Sequence, residues 1–124
     1  MVAVGRATRT FPNRRDVYVV GNNPTVEYRG NKPHAWKTML EGLGNKDWIA
    51  QWMYQFSGTG KTYFDTVAID QALMGVNDIL SVGALPVGYH EDGVAKTSDW
   101  FDDQTRAEDY ARGGFEVGQR CGMA

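Results

Sequence analysis

The rhythm of apolar and polar positions changes several times along this 124-residue chain. Residues 16–20 (DVYVV) and 25–29 (TVEYR) are β-branched and aromatic, with Gly-Asn-Asn-Pro between them. Two such runs around a turn-forming tetrapeptide predict a hairpin of strands. Pro33 and the pair Gly42 and Gly44 then bracket a segment whose boundary residues predict a short helix over about 34–42. Residues 47–56 (DWIAQWMYQF) alternate imperfectly, and Trp48, Trp52 and Tyr54 favour a buried strand over a helix.

The clearest pattern lies over 65–82. Ile69, Leu73, Val76 and Leu80 fall at i, i+4, i+7 and i+11, a single helical stripe. Asp65 suits the N-cap, and Gly83 stands where a C-terminal glycine belongs. Residues 84–90 (ALPVGYH) predict a strand, with Pro86 near its start, where a missing N–H is tolerable. A second helix is predicted over 103–121, where Ala107, Tyr110, Ala111, Gly114, Val117 and Cys121 recur at three and four. Gly113, Gly114 and Gly118 each cost such a helix about 1 kcal/mol relative to alanine. A helix that carries them is expected to pack its backbone very close to a neighbour. The whole predicts an α+β fold in which a small mixed or antiparallel sheet packs against helices. Residues 1–124 read as a single domain. Since a further strand normally follows such an alternation, an N-terminal domain or fragment of a longer, two-domain protein is expected.

Composition narrows the class. Hydrophobic residues make up 42% and charged residues 23%, the balance of a folded chain and not of a disordered one. No apolar run reaches the roughly 18 residues of a membrane span, and residues 1–10 lack the apolar centre of a signal peptide. A lone cysteine, Cys121, favours a reducing compartment, so a cytoplasmic location and no membrane partner are expected. The net charge is −2 but uneven: residues 1–37 carry seven basic against two acidic side chains, and residues 38–124 six against thirteen. The basic arm is a solvated surface or a phosphate-facing one. With no RNA-binding motif and an acidic remainder, nucleic acid ranks last among partners.

Three groups of residues carry candidate chemistry. Ser57–Asp65 (SGTGKTYFD) ends like a P-loop at Gly60-Lys61-Thr62, but Gln55 occupies the first-glycine position and β-prone residues follow Lys61. A structural glycine turn is the plainer reading. On the predicted helix 65–82, Asp70 and Asn77 share a face about 10 Å apart along the axis, a groove suited to a polyphosphate and its Mg²⁺, or simply an exposed helix face. Asp78, near the helix C-terminus, opposes the macrodipole and calls for a cationic partner. Glu91 and Asp92 follow the predicted strand, with His90 beside them. Two histidines without zinc-type spacing, His34 and His90, read as structural or exposed, and Cys121 as a small core residue.

Residues 65–96 resemble the ATP-binding N-terminal domain of aminoimidazole ribonucleotide synthetase, the phosphoribosylformylglycinamidine cyclo-ligase. Asp65, Thr66, Ile69, Asp70, Met74, Val76, Asn77, Asp78, Gly83, Ala84 and Pro86 match that family's pattern in register. The close match covers about a quarter of the chain. It implies the family's N-terminal-domain fold, an enzyme of purine biosynthesis that uses ATP to close an imidazole ring on a phosphoribosyl substrate, and a homodimer formed through the sheet. By position it implies Asp78 and Glu91 as Mg²⁺ ligands. Asp70, Asn77, Lys96, Gly58, Gly60 and Lys61 would lie on the nucleotide. Gly60 stands where the family loop has an acid, and the loop is shorter. The chain by itself is therefore expected to be an incomplete catalyst. The alternatives are a non-catalytic dimerisation or binding module of the same superfamily, or another of its ATP-using enzymes, such as thiamine monophosphate kinase or selenophosphate synthetase.

Overall fold

The computed structural model describes residues 16–20, 25–91, 94 and 99–123. Over these it is an α+β protein with a two-stranded antiparallel sheet, three helices and one short helical turn. Strands β1 (Val17–Val20) and β2 (Thr25–Tyr28) pair with Val17 opposite Tyr28 and Val20 opposite Thr25. The hairpin follows from the β-branched runs as expected, and the Arg29 N–H closes its open end on the Asp16 carbonyl at 2.7 Å.

Helix α1 spans Lys46–Phe56, so the strand expected over 47–56 is a helix. Its large residues recur every four positions: Trp48, Trp52 and Phe56 on one line, Ile49 and Met53 on the next. All five are exposed, while Ala50 is 2% exposed and faces inward. The indoles made the segment look like a strand, yet no third strand exists among the described residues to pair with it. A helix satisfies its own backbone without such a neighbour.

Two other expected elements are absent. Residues 34–42 form no helix, and every residue from 31 to 42 is exposed. Short helices draw their stability from an apolar face buried against something, and here there is nothing to bury it against. Local contacts order its start instead. The Tyr28 and His34 rings lie 4.0 Å apart, His34 meets the edge of Trp36 at 5.3 Å, and the Tyr28 hydroxyl donates to the Lys32 carbonyl. Residues 84–90 form no strand either, since no ladder partner lies beside them among the described residues. They cover the core instead, with Pro86 buried and Tyr89 packed on it. The hairpin sits chiefly against these irregular segments: Val17 and Tyr28 share a cavity with His34, Trp36, Leu85 and Val87.

Helices α2 (Phe64–Ser81), α3 (Asp99–Asp102) and α4 (Gln104–Cys121) complete the order. Helix α2 keeps nearly its expected bounds, but it turns a different face inward. Phe64, Ala68, Ala72 and Val76 are buried, while Leu73 and Leu80 are 39% and 48% exposed. The cause lies on α4. A Cβ built on Gly113 would stand 2.2 Å from the Asp65 carbonyl oxygen and 2.8 Å from the Ala68 Cβ. Only glycine on one helix and alanines on the other allow backbones this close, so the larger aliphatic residues are pushed to the flanks. The expected close approach of α4 is thus present. Its buried members are Arg106, Gly113, Val117 and Gly118, and the predicted Gly114 stands clear of it. Ala72, Val76, Val117 and Met123 form the core, with Ile69, Tyr89 and Cys121 against it.

The helix ends hold one further correction. Asp65 is not the N-cap of α2; it lies in the first turn, where its Oδ1 accepts from the Thr66 N–H at 2.7 Å. The start is pinned by Thr62, 1% exposed, whose hydroxyl accepts from the Phe64 N–H and donates to Asp109 on α4. At the other end Gly83, at φ +75°, turns the chain out of α2 as expected. Asp103 caps α4 by accepting from the Arg106 N–H at 3.0 Å.

Candidate functional site

The glycine loop joins two helices: α1 ends at Phe56 and α2 begins at Phe64. The expectation that no helix follows Lys61 is therefore overturned. The strand that must precede a P-loop is nonetheless a helix here, and Gln55 lies in its last turn. Gly58 and Gly60 take φ +67° and +71°, a backbone region that glycine enters without strain. The loop spends its polar groups on itself. Thr59 Oγ1 lies 2.8 Å from Ser57 Oγ and 3.2 Å from the Tyr63 hydroxyl. The N–H groups of Thr59 and Lys61 donate to Ser57 Oγ and Thr59 Oγ1. These two amides face side-chain oxygens within the turn, unlike the open amide cradle of a P-loop.

The polar face of α2 is built from residues that its register turns away from α4. Asp70 is exposed and ion-paired with Lys46 Nζ at 2.5 Å, across from the first turn of α1. Asn77 is exposed, and Asp78 is half-buried. The Asp78 carboxylate does not meet a base. Glu41 comes within hydrogen-bonding reach of it, and that bond together with the Asp78 charge raises the Glu41 carboxyl above its ordinary 4.5. Two acids thus converge on the C-terminal turn of α2, where the helix dipole is also negative. This is the strongest local demand for a cation on the helix.

Glu91 is placed elsewhere, half-buried and accepting a hydrogen bond from the Tyr110 hydroxyl, which also lies 2.6 Å from Gln71 Oε1. Burial raises the Glu91 carboxyl, and the Tyr110 hydrogen bond opposes that rise only in part. Burial and the Glu91 charge push the Tyr89 phenol up to about 12. Tyr110 is raised as well, by burial first and by its bond to Glu91 second. Asp78 and Glu91 thus have different partners, and among the described residues no three His, Cys, Asp or Glu side chains gather into a metal-ligating group. Mg²⁺ does not require one, because it usually keeps several waters and takes one or two carboxylates plus substrate phosphates. Glu41 and Asp78 fit that demand. Lys96 and Asp92 lie outside the described residues.

Sequence reasoning missed Glu41, whose role depends on an irregular chain path. It also missed a group around Arg106, where three indoles surround a buried guanidinium. The four-residue spacing of Trp48 and Trp52 was the available signal. No protein-family model, no curated protein and no solved structure matches this chain.

Proposed function

We propose that this chain is an ATP- and Mg²⁺-binding domain of the phosphoribosylformylglycinamidine cyclo-ligase kind, acting in purine biosynthesis as part of a larger catalyst. The observation that carries this reading is the Glu41–Asp78 pair at the negative end of α2. It gives a divalent cation two hard oxygen donors at the position where the resemblance implies one. Asp70 and Asn77, exposed on the same helix, line the path on which a polyphosphate would lie. Lys46 already neutralises Asp70 and would face the phosphates of a bound nucleotide.

Calorimetric titration with ATP in excess Mg²⁺ tests the proposal. The expected result is saturable heat that disappears in EDTA and weakens at least tenfold in Asp78→Ala. No heat from the folded parent, or equal heats from parent and variant, would count against it.

A second reading is supported by the exposed stripe of Trp48, Ile49, Trp52 and Phe56 on α1. Contiguous apolar surface of this kind marks association sites. On this reading the chain is a non-catalytic dimerisation module of the same superfamily, forming a homodimer. A stable dimer indifferent to ATP would favour it over the first.

A further inference from the structure

A cavity of about 420 Å³ opens beside α1, bounded by α3 and the first turn of α4, well within the size range of small-ligand sites. Three of its lining residues are tryptophans: Trp48 and Trp52 from successive turns of α1, and Trp100 from α3. The Trp48 and Trp52 rings stand 6.2 Å apart at 62° and form an open corner. They are 60% and 56% exposed, a costly arrangement for two indoles with nothing to cover.

The charges around the corner narrow what could fill it. Asp47 and Asp99 line the cavity together with Arg106, which leaves the lining at a formal −1. Arg106 is only 8% exposed, and its guanidinium is already engaged. It donates to Gln51 Oε1 at 2.9 Å and to the carbonyls of Asp99 and Trp100 at 3.2 and 2.7 Å. It also lies 4.8 Å from the centre of the Trp100 ring. One indole of the cavity therefore already holds a cation on its face. Among the described residues no cation stands over Trp48 or Trp52. An anion would meet two carboxylates and a guanidinium whose hydrogen bonds are largely spent. A primary ammonium is satisfied by water and any surface acid. An alkylated ammonium has few or no N–H groups to hydrogen-bond, and aromatic faces with a nearby carboxylate are its best surroundings.

We propose that this cavity binds an alkylated ammonium group of the trimethylammonium type. The methyl groups lie against Trp48 and Trp52, and Asp47 and Asp99 supply the counter-charge. The proposal stands apart from the nucleotide reading, since it uses none of the same residues.

Choline is the probe, and 3,3-dimethylbutan-1-ol, its uncharged isostere, is the control. Binding is read from the indole N–H signals in NMR spectra of the whole chain. Choline is expected to shift the Trp48 and Trp52 signals saturably, with the alcohol at least tenfold weaker. Trp52→Ala is expected to weaken choline about tenfold, the scale of one cation–π contact removed from a dry site. Trp36→Ala, an indole outside the cavity, is expected to leave it unchanged. The proposal is overturned if the alcohol matches choline, or if a correctly folded Trp52→Ala binds as the parent does. It is also overturned if choline shifts nothing at about 50 mM, where a millimolar site would be saturated.

Discussion

Glu91 and Asp65 respond to burial in opposite ways, because only one of them has a cationic neighbour. At Glu91 burial raises the carboxyl, and the neutral Tyr110 hydroxyl compensates only in part. Its protonated form is therefore favoured by folding. The stability it contributes is fully present below its unfolded pKa and is lost as pH rises through the higher folded value. Glu91→Gln keeps an acceptor for Tyr110 and removes the charge. It is expected to stabilise the protein at pH 7, to have little effect near pH 4, and to flatten the decline between. Urea melts of both proteins from pH 4 to 8 check this. At Asp65 burial pushes the same way, but hydrogen bonds from Arg112 and Thr66 outweigh it and hold the carboxyl below its ordinary value. That contribution has the reverse sign: it is present above the unfolded pKa and is lost as pH falls through the folded one.

At the scale of elements, the contact of α2 with α4 makes two adjacent glycines unequal. Gly113→Ala forces a methyl group against the Asp65 carbonyl and the Ala68 Cβ. It is expected to cost about 1–3 kcal/mol, the usual penalty of overpacking. At Gly114 a new Cβ meets nothing within 4 Å, and alanine there is expected to gain up to about 1 kcal/mol of helix propensity. Thermal melts should show the two shifts in opposite directions, by roughly 4 °C per kcal/mol. The glycines in α4 announced a close approach from composition alone. Which of them made it depended on rotation about the helix axis, which periodicity leaves open where alanine and leucine compete for the inner face. Hairpin, α2 and α4 were legible because their patterns are local. Helix α1 was misread because its indoles sit on the outer face, where residue size says nothing about pairing. The acid at Asp78 was legible from its position against the dipole, whereas its partner Glu41 was not. Glu41 is brought there by a segment with no regular pattern to read.

For the molecule as a whole, the core residues Ala72, Val76, Val117 and Met123 all come from residues 72–123. The hairpin precedes them in the chain and is joined to the helices through the segment that is exposed from residue 31 to 42. Two-stranded hairpins are marginal by themselves, so this end of the molecule is the weaker one. No helix among the described residues is long and apolar enough to cross a membrane. The aromatic surface of α1 must therefore be accounted for by ligands or partners.

The exposed segment from residue 31 to 42 also determines how the chain comes apart under a protease. Lys32 is followed by Pro33 and resists trypsin, but Lys37 lies in the same segment, exposed and without helix or strand to hold it out of the enzyme's cleft. A short trypsin digest of the native protein is expected to cut first after Lys37, and mass spectrometry should find an early fragment beginning at Thr38. That fragment retains every core residue but loses β1 and β2. If the helices do not need the hairpin, it will keep a helical circular dichroism spectrum after the hairpin has been washed away.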